Sequence, residues 1–164
     1  MEGKKKIIIY DRDSEADTCR KEVTPKLYNA GWTDDQIMEQ RTFTDGRIIV
    51  IGKVAKRAKP KKADYLLRYS QNFPIAEVEA KKKYKIAAAG LQQAKDYAEI
   101  LQLKFAYATN GKSIIEHDYI TGIEKKIDAF PSPEELWNRL TGAYPVKPQI
   151  METLLQPQIG RAHV

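Results

Sequence analysis

The spacing of apolar positions and the residues that cap helices predict three helices along the chain. Leu91, Ala94, Ala98 and Leu101 fall on one face at the helical period, which predicts a helix over residues 91–103. Each of the two other segments has a serine as its N-cap and acidic residues in its first turn, where the helix dipole favours negative charge. These segments are residues 14–31, with a kink or break expected at Pro25 and an end at Gly31, and residues 133–140, with Ser132 as N-cap.

Short apolar or alternating runs between these helices predict strands. Asp45-Gly46 separates two such runs and predicts a tight hairpin turn. A strand, a helix and a strand between Pro74 and Thr109 predict one parallel crossover. We therefore expect a mixed α/β domain with a central mixed sheet flanked by helices. The predicted strands are residues 41–44, 47–51, 63–69, 74–81, 105–109 and 113–119.

The length of the chain, 164 residues, suits one domain with its own hydrophobic core. We expect residues 1–140 to form this domain. Residues 141–164 contain three prolines and little periodicity, and are expected to be an irregular tail or the start of a linker. No apolar run approaches the roughly 20 residues of a membrane span. Cys19 is the single cysteine, so neither a disulfide nor a Cys/His zinc site is expected, and a cytoplasmic protein is favoured.

Positive charge is concentrated in one stretch of the chain. The net charge is +6, and the stretch between residues 53 and 62 carries six cations and no acid. Concentrated cations favour a polyanion such as DNA, because neutralised phosphates release condensed counterions. We expect contacts to phosphates rather than bases, and the alternative is an ordinary solvated loop. The cations are Lys53, Lys56, Arg57, Lys59, Lys61 and Lys62, and a second cluster lies between residues 81 and 85.

Two carboxylates lie symmetrically about the turn between two predicted strands. If this turn centres on Gln71-Asn72, then Asp64 and Glu79 face each other across an antiparallel pair. Like charges in this position need compensation, and Mg²⁺ prefers one or two carboxylates together with water and phosphate oxygens. Lys81 shares a strand face with Glu79. Two carboxylates and an ammonium group match metal-assisted hydrolysis of a phosphodiester, with the lysine orienting water or stabilising phosphate charge.

Each part of this pattern also has an ordinary explanation. Glu-x-Lys occurs by chance in most soluble proteins. Asp64 can be the cap of a strand, and Glu79 and Lys81 can be exposed neighbours. Gln93 and Tyr97 are spaced one helical turn apart, and such a pair more often serves packing and the surface. The combination is more specific than its parts, because the aspartate lies 15 residues before the glutamate on an adjacent predicted strand.

These motifs together resemble a known family of nucleases. Asp64, Glu79-Ala80-Lys81 and the run from Gln93 to Tyr97 resemble the RecB-like branch of the PD-(D/E)xK nucleases. The chain is similar, over about residues 14–140, to the N-terminal endonuclease domain of the restriction (motor) subunit of type I restriction enzymes. The similar stretches occur in the family's order and rough spacing. They are residues 15–18, 30–32, 46–48, 63–67, 78–81, 90–98, 108–111 and 130–136.

The resemblance implies a restriction-endonuclease-like fold and a role for each motif residue. Asp64 and Glu79 would bind Mg²⁺, and Lys81 would be the catalytic lysine. Gln93 and Tyr97 would lie beside these groups, where they order the site or help to place DNA.

Two acidic residues outside the motif are less clearly assigned. Glu15 matches an early glutamate of the family that completes the acidic metal site, but Glu22 on the same predicted helix is a rival. The family's catalytic strand is apolar before Glu-x-Lys, whereas this chain has Glu77 there. Glu77 is then either an uninvolved residue or a surface charge beside the site.

Full subunits of this family are longer, with an ATP-driven DNA translocase and a region that docks on the methylase and specificity subunits. No Gly-x-x-x-x-Gly-Lys-Ser/Thr phosphate loop occurs in this chain, so ATP is expected for the full subunit and not here. The favoured function is a Mg²⁺-dependent endonuclease domain acting on double-stranded DNA. The alternatives are a DNA-binding module of the same fold, inactive outside the full complex, and a protein-interaction domain, which leaves the ordered motifs unexplained.

Overall fold

The computed structural model describes residues 18–43, 48–51, 54–57, 61–82 and 85–145. The described strands are β1 Ile37–Phe43, β2 Ile48–Ile51, β3 Val54–Arg57, β4 Lys61–Ser70, β5 Phe73–Ala80, β6 Phe105–Thr109, β7 Ile114–Asp118 and β8 Ile123–Ile127. The described helices are α1 Thr24–Asn29, α2 Leu91–Ile100 and α3 Pro133–Ala143, with a π-helical turn Cys19–Val23 before α1 and a 3-10 turn Ala87–Gly90 before α2.

Six of these strands form one mixed sheet in the order β1-β4-β5-β6-β7-β8, and β2 pairs with β3 separately. β5 and β6 are parallel, and the other neighbours in the large sheet are antiparallel. The chain passes from β5 to β6 through α2, which confirms the predicted parallel crossover. The expected fold class, a mixed α/β domain with helices flanking a central mixed sheet, is confirmed.

Helices cover both faces of the sheet. Leu66 and Leu67 are consecutive in β4 and therefore point to opposite faces. Leu66 packs in a small apolar cluster with the alanines of α2, whereas Leu67 belongs to the main core with residues of α1 and α3. β5 lies between these layers, and residues 75–80 are all buried. Any polar side chain in this strand is therefore removed from water.

The first helical segment accommodates Pro25 by a change of helix type. Proline has no N–H, and its ring clashes with the carbonyl group four residues earlier in a regular α-helix. The chain forms the wider π-turn immediately before α1, in which the N–H of Thr24 donates to the carbonyl oxygen of Cys19. Pro25 then occupies the first turn of α1, where the missing N–H leaves no bond unmade. The predicted kink or break is therefore a π-turn.

α1 and α2 end in the same way. Gly31 has φ +100° and Gln102 has φ +59°, which is the left-handed conformation common after the last helical residue. The N–H groups of Trp32 and Leu103 then donate to the carbonyl oxygens five residues earlier, at 3.1 and 2.7 Å. Gly31 was the predicted end of its helix. The predicted end of α2 at Leu103 is wrong, because Gln102 reverses the chain without the glycine that would have marked this turn.

The predicted hairpin between residues 41–44 and 47–51 is also wrong. β1 pairs with β4, with Phe43 opposite Lys61, and β2 pairs with β3, with Ile51 opposite Val54. Two turn-forming dipeptides, Asp45-Gly46 and Gly52-Lys53, compete along this stretch of the sequence. The second joins two adjacent runs that can pair locally. Part of the cationic stretch is therefore strand rather than loop.

The C-terminal part of the sheet includes a strand that periodicity did not predict. Four of the five residues of β8 are exposed, because it is an edge strand and carries little apolar pattern. Ser132 caps α3 as predicted, since its Oγ accepts a hydrogen bond from the N–H of Glu135 at 3.1 Å. α3 runs to Ala143, past the predicted end at Leu140. None of the described helices has the length and apolar character needed to cross a membrane.

Candidate active site

The antiparallel β4–β5 pair brings two of the predicted carboxylates together. Tyr65 lies opposite Val78, so the next facing positions along the two strands are Asp64 and Glu79. The backbone N–H of Asp64 donates to Glu79 Oε1 at 3.4 Å, and the N–H of Ala80 donates to Asp64 Oδ2 at 2.9 Å. Each acidic side chain is therefore held by the other strand. The placement about Gln71-Asn72 that the sequence indicated is the observed register.

Gln93 of α2 connects the acidic pair to the lysine. Its side-chain amide donates to Glu79 Oε2 at 3.2 Å and to the Tyr97 hydroxyl at 3.1 Å. Its carbonyl oxygen accepts from Lys81 Nζ at 3.4 Å. Gln93 and Tyr97 are one helical turn apart and face the same way. One glutamine thus sets the relative positions of a carboxylate, an ammonium group and a phenol.

Close packing against the 3-10 turn before α2 also constrains the lysine. A Cβ atom added at Gly90 would lie 3.2 Å from both Cγ and Cε of Lys81 and 3.5 Å from Cβ of Glu79. A larger residue there would press on the stem of Lys81. The absence of a side chain at position 90 therefore lets the lysine lie along the turn toward Gln93.

Glu79 is nearly inaccessible to solvent, with an exposed fraction of 1%. Burial raises its pKa to about 8, because a charged carboxylate is poorly solvated there, and the negative charge of Asp64 adds to the increase. A carboxyl group in this environment favours a proton or a cation over a bare negative charge. This is the electrostatic environment of a site that takes up positive charge.

Glu77 is fully buried, so the interpretation of it as a surface charge beside the site is wrong. Burial raises its pKa well above the ordinary value, and the neighbouring carboxyl group of Glu79 adds to this increase. Its carboxyl group lies within hydrogen-bonding reach of the carboxyl group of Glu79, and no other described residue donates to either of its oxygens. The helix α2 covers the strand face that carries Glu77, and strand alternation alone cannot predict this cover.

A pocket of about 230 Å³ lies beside Asp64 between β1, β4 and the first helical segment. Gln40 lines this pocket and donates from Nε2 to Asp64 Oδ1 at 3.4 Å. The φ of Gln40 is +52°, a left-handed conformation that interrupts the pairing of β1 with β4. Sequence patterns did not indicate Gln40, since nothing in its local sequence marks an irregular strand position.

The remaining predicted site residues are only partly described. Glu15, Lys53 and Lys59 lie outside the described residues. Glu22 lies beside Gly111, where an added Cβ atom would be 2.8 Å from Cβ of Glu22. Among the described residues there is no group of three His, Cys, Asp or Glu side chains arranged to hold a metal ion. The choice between Glu15 and Glu22 therefore stays open.

The described cationic residues are divided between two strands. Lys56 and Arg57 lie in β3, away from the large sheet's hydrogen bonding. Lys61 and Lys62 begin β4, and Lys62 is exposed on the same strand face as Asp64, two residues later. The cationic stretch therefore leads directly into the strand that carries the first acidic residue.

Comparison with known proteins identifies relatives of this chain. No protein-family model matches the chain. It is 41% identical over 133 residues to the endonuclease subunit of the type I restriction enzyme EcoAI from Escherichia coli. It is 54% identical to a fragment structure of a putative HsdR subunit of a type I restriction enzyme from Vibrio vulnificus YJ016, with a TM-score of 0.75. Its homologues are endonuclease subunits of type I restriction enzymes.

The similarity covers most of this chain but a small part of each relative. It extends over 77% of this chain and 16% of the E. coli subunit, and over 87% of this chain and 28% of the Vibrio vulnificus fragment. The resemblance inferred from the motifs is confirmed, and the fold is consistent with the restriction-endonuclease-like class. The similarity does not assign roles to individual residues, so these roles are argued from the chemistry of the side chains.

The side chains of this type I restriction subunit homologue fit a hard divalent cation. Asp64 and Glu79 present carboxylate oxygens, and Mg²⁺ commonly uses one or two carboxylates and keeps several waters. The buried carboxyl group of Glu77 lies next to that of Glu79. The donors of this pair are carboxylate oxygens, as Mg²⁺ and Mn²⁺ prefer. Asp64 and Glu79 would hold the ion.

The raised pKa of Glu79 predicts how stability depends on pH without a cation. The folded-state pKa is about 8 against an ordinary 4.5, so the folded state binds the proton more tightly than the unfolded state. The free energy of unfolding should therefore fall as pH rises from about 4.5 to about 8. Glu79→Gln should remove the part of this loss that Glu79 causes, gaining roughly 4 kcal/mol over wild type at pH 8 and much less at pH 5.

Urea unfolding in EDTA at pH 5 and pH 8 measures this difference. Glu135→Gln, which removes an exposed carboxylate on α3, is the control and should follow the wild-type pH dependence. Equal stability gains for Glu79→Gln at both pH values would contradict the assignment of a raised pKa to Glu79.

Proposed function

We propose that the chain is a Mg²⁺-dependent endonuclease domain that hydrolyses phosphodiester bonds of double-stranded DNA as part of a type I restriction-modification enzyme. The proposal depends above all on one observation, the link from Asp64 and Glu79 through Gln93 to Lys81. The homologues named as type I restriction endonuclease subunits support it. In such an enzyme, methylase and specificity subunits would be the partners, and ATP would serve other parts of the full subunit.

Each residue of the site has a chemical task in this proposal. Asp64 and Glu79 attract and hold the divalent cation, which supplies Lewis-acid polarisation of the scissile phosphate when bound. Lys81 stabilises negative charge that develops on the phosphate or orients the attacking water. Gln93 keeps Lys81 and Glu79 at a fixed separation, and Tyr97 fixes the amide of Gln93. The carboxylates, through the cation that they hold, and the ammonium group would thus act on the same phosphate.

Cleavage of supercoiled plasmid DNA by the purified chain tests this function. Nicked or linear product should form with Mg²⁺ or Mn²⁺, should not form in EDTA, and should be lost in Glu79→Gln. Product from Glu79→Gln at the wild-type rate would refute the proposed site. DNA binding without cleavage by the wild type, under all cation conditions, would favour the alternative of a binding module that is inactive outside the full complex.

Neutralising part of the cationic stretch should weaken DNA binding without changing sequence preference. A variant with Lys59, Lys61 and Lys62 changed to glutamine removes three charges of the cationic stretch, and two of these lysines begin the strand of Asp64. If these lysines contact phosphates, the slope of log K against log salt concentration should decrease by about three. Fluorescence anisotropy with a labelled duplex at several salt concentrations gives this slope.

The control for this variant removes three lysines elsewhere. Lys112, Lys125 and Lys126 are exposed, and the last two lie on β8 at the edge of the sheet farthest from β1. Changing them to glutamine removes the same net charge and should leave the slope nearly at the wild-type value. Equal slopes for the two triple variants would mean that only the total charge of the chain matters.

A further inference from the structure

Glu77 is a buried acid that the proposed chemistry does not use. Its exposed fraction is 0%, and among the described residues no N–H or O–H group donates to either carboxyl oxygen, while the acidic side chain of Glu79 lies within hydrogen-bonding reach. Its neighbours across the sheet are Leu66 on β4 and Ala106 on β6, which belong to the apolar cluster beneath α2. An apolar side chain would suit these surroundings, so a carboxyl group without a partner is costly there.

A second buried glutamate in the same sheet shows how this protein satisfies such a group. Glu116 on β7 has an exposed fraction of 1%. Its carboxylate accepts from the hydroxyl of Tyr107 at 2.8 Å and from two guanidinium nitrogens of Arg139 at 3.1 and 2.8 Å. A glutamate with a purely structural role is thus fully paired. Glu77, equally buried, has no comparable partners in the described structure.

The location of Glu77 indicates what would compensate its charge. It precedes Glu79 by two residues in β5, so both side chains project from the same face of the strand. That face is covered by α2, which also places Gln93 against Glu79. The carboxyl group of Glu77 therefore lies next to that of Glu79 and feels the negative charge of Asp64. A positive ion held by Asp64 and Glu79 would compensate its charge.

We infer that Glu77 is a third carboxylate of the cation site, which increases the affinity for a divalent cation from behind Glu79 without being an exposed ligand. This inference rests on the proposed function, because it assumes that Asp64 and Glu79 bind the ion. Glu77 is a positioning residue in this role, since it acts through Glu79. Such supporting groups commonly change metal affinity by about 10–100-fold.

Manganese binding to the purified chain tests the role of Glu77. Electron paramagnetic resonance of free Mn²⁺ gives the dissociation constant for wild type, Glu77→Gln and Glu77→Leu. Glu77→Gln preserves shape and removes charge, and Glu77→Leu suits the apolar surroundings, so that at least one folded variant is available. Both are expected to bind Mn²⁺ about tenfold more weakly. Their melting temperatures in EDTA are expected to equal or exceed that of wild type.

Two controls separate this inference from the proposed function. Glu135→Gln removes an exposed carboxylate on α3 and should keep the wild-type affinity for Mn²⁺. Asp64→Asn should lose binding. If Asp64→Asn loses binding while both Glu77 variants keep affinity within twofold of wild type, Glu77 has only a packing role and the inference is overturned. If Asp64→Asn binds Mn²⁺ as wild type does, the proposed site itself is refuted and the inference is overturned with it.

Discussion

Lys81→Ala should reduce DNA cleavage by roughly 10²–10³-fold while leaving the affinity for Mg²⁺ close to that of wild type. The lysine would stabilise charge that develops on the phosphate, whereas Asp64 and Glu79 would hold the ion. The contact from Lys81 Nζ to Gln93 fixes the ammonium group beside these carboxylates. Plasmid cleavage rates and Mn²⁺ titrations on the same preparations give both quantities.

Lys126→Ala is the matched control for this variant, because Lys126 is an exposed lysine on β8, at the edge of the sheet farthest from β1. It should cleave DNA nearly as wild type does. If Lys81→Ala loses cation binding together with cleavage, the lysine is needed to form the site rather than for the chemical step. If it cleaves at the wild-type rate, another group performs the role given to Lys81.

Asp64→Asn should abolish the stabilisation that Mg²⁺ gives to the folded chain. At a cation concentration 100 times the dissociation constant, that stabilisation is about 2.7 kcal/mol. Asparagine keeps an oxygen that can accept the hydrogen bond from the N–H of Ala80, now 2.9 Å from Asp64 Oδ2. The substitution thus removes charge without leaving a backbone donor unpaired. Thermal unfolding with EDTA and with saturating Mg²⁺ measures the difference.

Asp128→Asn is the control for this experiment, since Asp128 is exposed in the turn after β8. It should be stabilised by Mg²⁺ as much as wild type. An equal upward shift of the melting temperature in Asp64→Asn would show that the cation binds elsewhere on the folded chain.

Most of the candidate site could be predicted because its residues are close in sequence. Asp64 and Glu79 flank a two-residue turn, and strand alternation then places Lys81 on the face of Glu79. Gln93 and Tyr97 follow on the next helix at a spacing of one turn. These relations depend on local geometry, which a single sequence encodes directly. The contact between Gln93 and both Glu79 and Lys81 depends on how α2 packs on the sheet.

The features that sequence patterns missed depend on non-local packing. The burial of Glu77 requires α2 to cover its face of β5, and a strand pattern shows only one strand at a time. The pairing of β1 with β4 competes with a local hairpin whose turn has equally favourable residues. The left-handed conformation of Gln40, opposite Asp64, has no signal in its own side chain. These three features surround the site, and each follows from the assembled sheet.

The hydrogen bond from the N–H of Ala80 to Asp64 makes the amide proton of Ala80 a probe of the Asp64 side chain in NMR experiments. Ala80 lies between Glu79 and Lys81, and its amide proton is held by a side chain rather than by the sheet ladder. The neighbouring amide of Lys81 instead donates to the carbonyl oxygen of Thr109 at 2.8 Å. Amide hydrogen exchange at Ala80 therefore follows the motion of one carboxylate, while exchange at Lys81 follows the opening of the sheet. The ratio of the two exchange rates would report how often the carboxylate of Asp64 leaves the amide of Ala80, relative to the opening of the sheet.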